Sequence, residues 1–557
     1  MPGAASRAIT FEIKSCGWNS LAKVPSSQRF FSVSETSPDS SRCIRSLQIA
    51  GRKMALSALT GRGGAVSLMR LAHGGMHVMA HLLSRTTDQK LAELEKARTW
   101  SPRVISKLEA LLQDADSWAL YRVNPIKFAA DKGIDETESI DLFLHAAKLG
   151  LFRMEWQLLC PHCSDTVSSF HSLSTLRSTC FCPLCHLETQ AQLDDYIHVS
   201  FTVSPEVREA PFHKPLFLSA EDYVLKYRLA QEAKASNGMV QTDRFRHISF
   251  AICWLEAGEI RDFKVKVGNT MVLGHDMVGG QGFMAASKPG GANELLAVLE
   301  NGAWTLSQTE VGDGLLEIKA VNKSPKRALL VLARMPKNHD GAPLTMAPCL
   351  TGNKLLNCQT FRSLFRSDTI SGSEGIGIRE LTLLFTDLKG STEMYERIGD
   401  IKAFALVQQH FEHLTRAIQT HHGAVVKTIG DAVMACFDKP ADAVSASLLM
   451  RDEIETFNRQ QGSNEIVLKI GIHMGASIAV TLNDRLDYFG QTVNIAARVQ
   501  GLAEAEEICI TQSVFDAPGV QSQLGHFDVS EETASVKGLS KRLPFWRVRE
   551  KGLPEPA

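Results

Sequence analysis

Apolar residues recur every three to four positions through the first ordered-looking stretch of the chain. Val104, Ile105, Leu108, Leu111 and Leu112 fall on one helical stripe behind the start signal Ser101-Pro102. Asn124-Pro125 repeats that signal. A short helix to Ala130, a turn at Gly133 and a helix from about Glu136 to Leu149 are expected to follow. This is helix-turn-helix spacing, and it predicts a helical, winged-helix-like region over 87–158. Between 195 and 350 the period changes. HVSFTV, RHISFAICWL, DFKVKV, LLEIKAV and RALLVLAR are short β-rich runs separated by Gly, Asn and Pro turns. They predict an antiparallel β-domain, a sandwich or barrel, serving as scaffold or sensor. Leu355 to Phe365 reads as a short helix, and SGSEGIG marks a boundary, so 351–378 is read as a linker.

From Arg379 strand and helix alternate. RELTLLFTD, a helix from about Asp400 to His421, two short strands around Gly430 and a helix from about Pro440 to Phe457 come first. VLKIGIHMG, a helix from about Thr492 to Ala503, EICIT and a last strand PFWRV complete the series. This is α/β order over 379–549, and the chain as a whole is multidomain α+β.

At 557 residues there is room for about three or four domains. Sixty Lys and Arg against sixty-one Asp and Glu exclude a general polyelectrolyte binder. No uncharged apolar run reaches about 18 residues, so no membrane span is expected. Residues 1–86 differ from the rest, with eleven Lys or Arg against three acids and frequent Ser and Gly. They read as a disordered tail, as an extension ahead of a start at Met54, or as an organelle-targeting segment. The location expected otherwise is cytoplasmic.

Five of the twelve cysteines crowd between Cys160 and Cys185, which suggests a reducing compartment and one local metal site. CPHC at 160–163 and CPLC at 182–185 form a C-x2-C pair of pairs separated by eighteen residues. Four thiolates so spaced can close a tetrahedron. They predict a zinc ribbon over 159–194, with structural Zn²⁺ on Cys160, Cys163, Cys182 and Cys185. Cys180, His162 or His186 are possible substitutes. A helix-turn-helix beside a zinc ribbon also invites a nucleic-acid-binding regulator. Asp135, Glu136, Glu138 and Asp141 on the second helix would then face phosphate, so no nucleic-acid partner is expected.

Three motifs carry the chemistry. In LLFTDLKGST an apolar strand delivers Asp387 to its end, and the turn Lys389, Gly390, Ser391, Thr392 opens a helix whose backbone N–H groups can cradle phosphates. In VVKTIGDAVMACF, Gly430-Asp431 reads as a hairpin tip. Two acids leaving apolar strands suit a two-metal phosphoryl-transfer site. In LDYFGQTVNIAARV, Asn494 and Arg498 are four apart on one helix face, where an amide and a guanidinium can meet a ribose oxygen and a phosphate. Each motif alone has a plain structural reading as a cap, a turn or a solvated face.

Together they resemble the class III adenylate/guanylate cyclase catalytic domain, since F-T-D-L-x-G-S-T, K-T-I-G-D and D-Y-F-G-x-x-V-N-x-A-A-R all stand intact. The resemblance implies a ferredoxin-like α/β fold for about 379–549. It makes Asp387, Leu388 and Asp431 ligands for two Mg²⁺ or Mn²⁺ ions. Asn494 orients the ribose and Arg498 stabilises charge on the α-phosphate. Lys427 and Asp487 match the adenine-selecting pair, which fits a donor for adenine N1 and an acceptor for its N6 amine. A triphosphate-binding lysine is expected near Lys537 or Lys541. ATP is the expected substrate, converted to 3′,5′-cyclic AMP and pyrophosphate. A guanylate cyclase, or a regulator with an inactive cyclase domain, are the alternatives. The resemblance further implies a homodimer, with Asp387, Asp431 and Lys427 from one chain meeting Asp487, Asn494 and Arg498 of the other, and a regulatory N-terminal region.

Overall fold

The structure, a computed structural model, describes residues 86–551 except 115, 178, 183–186, 191, 195, 232, 236–237, 338–343, 372–373 and 538. The expectations for the basic N-terminus therefore lie outside the described residues.

Helix α1 spans Val104–Leu112. It begins two residues later than Ser101-Pro102 predicts, because the Ser101 amide is held by Glu138 Oε1 (2.7 Å) and the chain turns through Arg103 at φ 69° first. Asn124 does cap α2 (Pro125–Lys132), its side chain accepting from Ile126 N, and Gly133 ends the helix at φ 57°. Helix α3 (Glu136–Lys148) starts on the Asp135 cap. Its Glu138, Ser139, Ile140, Asp141, Leu142, Phe143, Leu144 and Ala146 are all buried.

Strands β1 (Phe152–Leu159), β2 (Thr166–Phe170) and β5 (Ile197–Val203) form a sheet in the order β2-β1-β5. Between them β3 (Thr179–Cys182) pairs with β4 (Leu187–Gln190). The β-domain expected over 195–350 is confined to Ser249–Pro336. A five-stranded and a four-stranded sheet enclose Val272, Ala285, Leu316, Ile318 and Leu332 there. It is mixed, not purely antiparallel, since two of its strand pairs run parallel. β5 was legible as a strand, but every one of its residues is buried, so it belongs to the helical region's core.

The C-terminal region is built on one eight-stranded sheet. Its elements in chain order are β6 (Ile376–Leu388), α6 (Ser391–Ile398), α7 (Asp400–Thr420), β7 (Ala424–Ile429), β8 (Ala432–Phe437) and α8 (Pro440–Gln461). Then come β9 (Leu468–Leu482), β10 (Arg485–Phe489), α9 (Gln491–Gln500), β11 (Ile508–Thr511), β12 (Phe527–Ala534) and β13 (Leu543–Glu550). The order β7-β8-β6-β9 is that of a β-α-β-β-α-β ferredoxin-like sheet, extended by β11-β13-β12 with β10 on β9. Alternate residues of the strands face two layers. Leu384, Val433, Ala435, Ile470 and Ile472 pack under α7 and α8. Leu383, Phe385, Met434 and Cys436 point to the other face.

That other face is not free. It shares one continuous core with Trp156, Phe201, Leu355, Leu356 and Phe361 from the N-terminal half. Within 351–378, expected to be a linker, the chain instead forms a packed pair of helices, α4 (Gly352–Leu356) and α5 (Gln359–Leu364). Phe361 is fully buried and its ring meets Trp156 edge-on at 5.9 Å. Phe361→Ala is therefore expected to destabilise by about 3–5 kcal/mol. Denaturant unfolding checks this; a loss below about 1 kcal/mol would mean the segment is a loose tether.

Candidate active site

Asp387 lies near the end of β6, paired across the sheet with Lys469 of β9. On the other side β6 runs antiparallel to β8, with Phe385 opposite Met434, and the Thr386 hydroxyl accepts from Val433 N (3.0 Å). Continuing that register brings Asp387 toward the β7–β8 hairpin. Its two-residue loop is Gly430-Asp431, and Gly430 adopts φ 63°, where a side chain would be strained. Burial, and next the Asp431 carboxylate, push the Asp387 pKa up, while Lys469 works the other way. Asp431 Oδ2 is buried without a hydrogen-bond partner among the described residues. An unpaired buried carboxylate oxygen is costly unless a cation meets it. Two hard carboxylates are the donor type that Mg²⁺ or Mn²⁺ takes. The Leu388 side chain is a hydrocarbon, so the residue can offer a cation only its backbone carbonyl.

After Asp387 the chain turns into a helix. Gly390, at φ 70°, precedes Ser391 and Thr392 in the first turn of α6. Lys389 ion-pairs with Glu504 at 3.3 Å. On α9, Asn494 is exposed and Arg498 half-buried, one turn apart. Neither makes a hydrogen bond or ion pair with Asp387 or Asp431 among the described residues. Lys537 and Lys541 are exposed.

Lys427 and Asp487 require a correction. The expectation assigned them to different chains of a dimer. In the structure Lys427 Nζ on β7 and Asp487 Oδ2 on β10 stand 2.5 Å apart in the same chain. β7 and β10 converge on one face of the sheet, and the α4–α5 hairpin bridges them. Gln359, Arg362, Phe365, Arg366, Val425 and Leu486 help line a cavity of about 280 Å³ beside Lys427. The hairpin's part in the site was missed. Its signal was present as Leu355, Leu356, Phe361 and Phe365, apolar at helical spacing in a stretch read as a linker.

In the N-terminal half, the Cys160, Cys163 and Cys182 sulfurs all lie within 4.8 Å of one another. Cys185 and His186 lie outside the described residues, as does the side chain of Cys180. Among the described residues no helix is long and apolar enough to cross a membrane.

The sheet order, with the two acids and the α9 pair on it, is the arrangement expected of a nucleotide cyclase catalytic domain. Residues 377–546 match the family model for the adenylate and guanylate cyclase catalytic domain, and this segment is similar to class III cyclases. Residues 85–363, half of the chain, match a second model, and that part belongs to a family of unknown function (DUF5939).

An adenylate cyclase of Anabaena cylindrica is 30% identical over 186 residues, which is 31% of this chain and 37% of that protein. Adenylate cyclase 1 of Rhizobium meliloti is 30% identical over 30% of this chain and 27% of its own length. Guanylate cyclase 2G of Mus musculus is 27% identical over 32% of this chain and 17% of its own. The matches thus span well under two thirds of these relatives. Among solved structures, the adenylyl cyclase CyaB of P. aeruginosa is 24% identical with a TM-score of 0.28, over 32% of this chain and 96% of that one.

Proposed function

We propose that this protein is an adenylate cyclase that converts ATP to 3′,5′-cyclic AMP and pyrophosphate at sites shared by two copies of the chain. The observation that carries the choice of ATP is the Lys427–Asp487 pair. It offers a donor and an acceptor side by side, the pattern that adenine N1 and N6 require. Guanine would need an acceptor for its N1–H and N2 amine and a donor at O6.

Asp387 and Asp431, with the Leu388 carbonyl, would hold the divalent ions. When bound, these supply charge neutralisation at the α-phosphate and acidify the 3′-hydroxyl. The protein's own groups do the rest. The amides of Gly390, Ser391 and Thr392 meet phosphate oxygens at the start of α6. Asn494 fixes the ribose, so its 3′-oxygen approaches the α-phosphorus in line with the pyrophosphate leaving group. Arg498 stabilises the charge that builds on the α-phosphate.

Several features favour a shared site. Within one chain, neither Asn494 nor Arg498 forms a hydrogen bond or ion pair with Asp387 or Asp431 among the described residues. Phe489, Ile429, Leu482 and Ile478 remain exposed on the hairpin tip and the β9–β10 arm. Asp487, Asn494 and Arg498 lie on consecutive elements, and Lys427 joins them through its ion pair. One copy would therefore supply the acids, and the other the base-selecting pair with Asn494 and Arg498.

The test is product formation by the purified full chain with Mn²⁺ and either nucleotide. ATP should be preferred. Lys427→Glu is expected to lower kcat/KM for ATP by about 10²-fold and bring the ATP-to-GTP ratio toward unity. A wild type that prefers GTP would overturn the choice of substrate.

The clustered thiols of Cys160, Cys163 and Cys182 support a structural Zn²⁺ there, with Cys185 proposed from the sequence as the fourth ligand, because soft sulfur donors suit zinc. Elemental analysis should find about one zinc per chain, and Cys163→Ser should release it with a fall in Tm. A metal-free chain with unchanged Tm would argue for plain buried thiols. Through the packed α4–α5 hairpin, this N-terminal half would regulate the catalytic domain.

A further inference from the structure

We infer that Arg362 and Gln359, both on α5 and both outside the segment matched to the catalytic domain, are positioning residues for the base-selecting pair. The inference rests on the cyclase reading above. Asp487 stands on β10 between Leu486 and Tyr488. Arg362 Nη1 donates to the Leu486 carbonyl (3.1 Å) and Nη2 to the Tyr488 hydroxyl (3.0 Å), so one guanidinium grips both chain neighbours of Asp487. Its Nε donates to the Leu356 carbonyl (2.7 Å), which ties that grip back to α4. The Tyr488 hydroxyl in turn donates to Asn357 Oδ1 (3.1 Å). The planar fork of arginine can serve three acceptors in fixed directions; a lysine ammonium on its flexible stem cannot.

The other half of the pair is held from the same helix. The ladder between β7 and β8 slips between Val425 and Lys427, an irregularity immediately before the selecting lysine. Such a bulge re-aims the side chain that follows it. The Val425 amide there donates to Gln359 Oε1 at 2.8 Å. α5 thus fixes β10 on both sides of Asp487 and fixes the bulge that sets Lys427. These hydrogen bonds touch no reacting atom. They hold a donor and an acceptor in the spacing that one purine edge matches and the other does not, and small displacements of such groups are costly to recognition.

The experiment is steady-state kinetics of the full chain with Mn²⁺-ATP and Mn²⁺-GTP for wild type, Arg362→Met, Arg362→Lys and Gln359→Leu. Arg362→Met should raise KM for ATP about tenfold and lower the ATP-to-GTP ratio of kcat/KM about tenfold, with kcat at saturation within about threefold of wild type. Arg362→Lys, keeping part of the grip, should fall between. Gln359→Leu should raise KM for ATP about threefold. Folding is followed by Tm; if Arg362→Met does not fold, the Lys and Gln359 variants decide on the same readouts. Folded variants with unchanged KM and ratio, whatever their Tm, would overturn the inference alone. A wild type that cyclises neither nucleotide would overturn the cyclase reading, and the inference with it.

Discussion

Arg498→Ala is expected to lower kcat for ATP by about 10²–10³-fold while leaving KM within a few-fold of wild type, the usual scale for losing one donor aimed at developing charge. Arg498 is half-buried on α9 and takes no part in the hydrophobic core around it, which is built from Ile495, Val499 and their neighbours. Its removal should leave Tm nearly unchanged. Steady-state kinetics with saturating Mn²⁺ measure the effect. An equal rise in KM with unchanged kcat would make Arg498 a ground-state binding group only.

Asp387→Asn should have a larger effect, a loss of about 10³-fold or more in kcat at physiological Mg²⁺. The asparagine keeps the shape but not the charge, and Asp431 alone is left beside the ions. The variant should also fold at least as well as wild type. Burial and the neighbouring Asp431 carboxylate already push the Asp387 pKa up, so neutralising it removes a repulsion in the metal-free protein. A variant less stable and fully active would mean that Asp387 is only a structural acid.

Much of the catalytic half was legible in the chain. The hairpin turn at Gly430-Asp431, the helix starts at Asp400 and Pro440, and the α9 face carrying Asn494 and Arg498 all rest on local signals of turn chemistry and helical spacing. Two things were not legible, because both depend on contacts far apart in sequence. The pairing of Lys427 with Asp487 joins residues sixty positions apart, and only the sheet's convergence decides that they share a chain. The linker reading of 351–378 failed for a related reason. Ser and Gly near its end marked a boundary, but the apolar face of α5 had no visible partner until Trp156 and the catalytic sheet came together. A consequence is practical. A fragment beginning at residue 366 would strip Phe361 and Arg362 from the catalytic sheet, so activity should be measured on the full chain.

The most direct test is a mixture of two inactive proteins, Asp387→Asn and Arg498→Ala, allowed to exchange subunits. Half of the dimers would then be mixed. Each mixed dimer would hold one site with an intact acid pair facing an intact arginine, so cyclic AMP formation should return to about one quarter of the wild-type rate. No recovery, from chains shown to exchange, would contradict a site built by two copies.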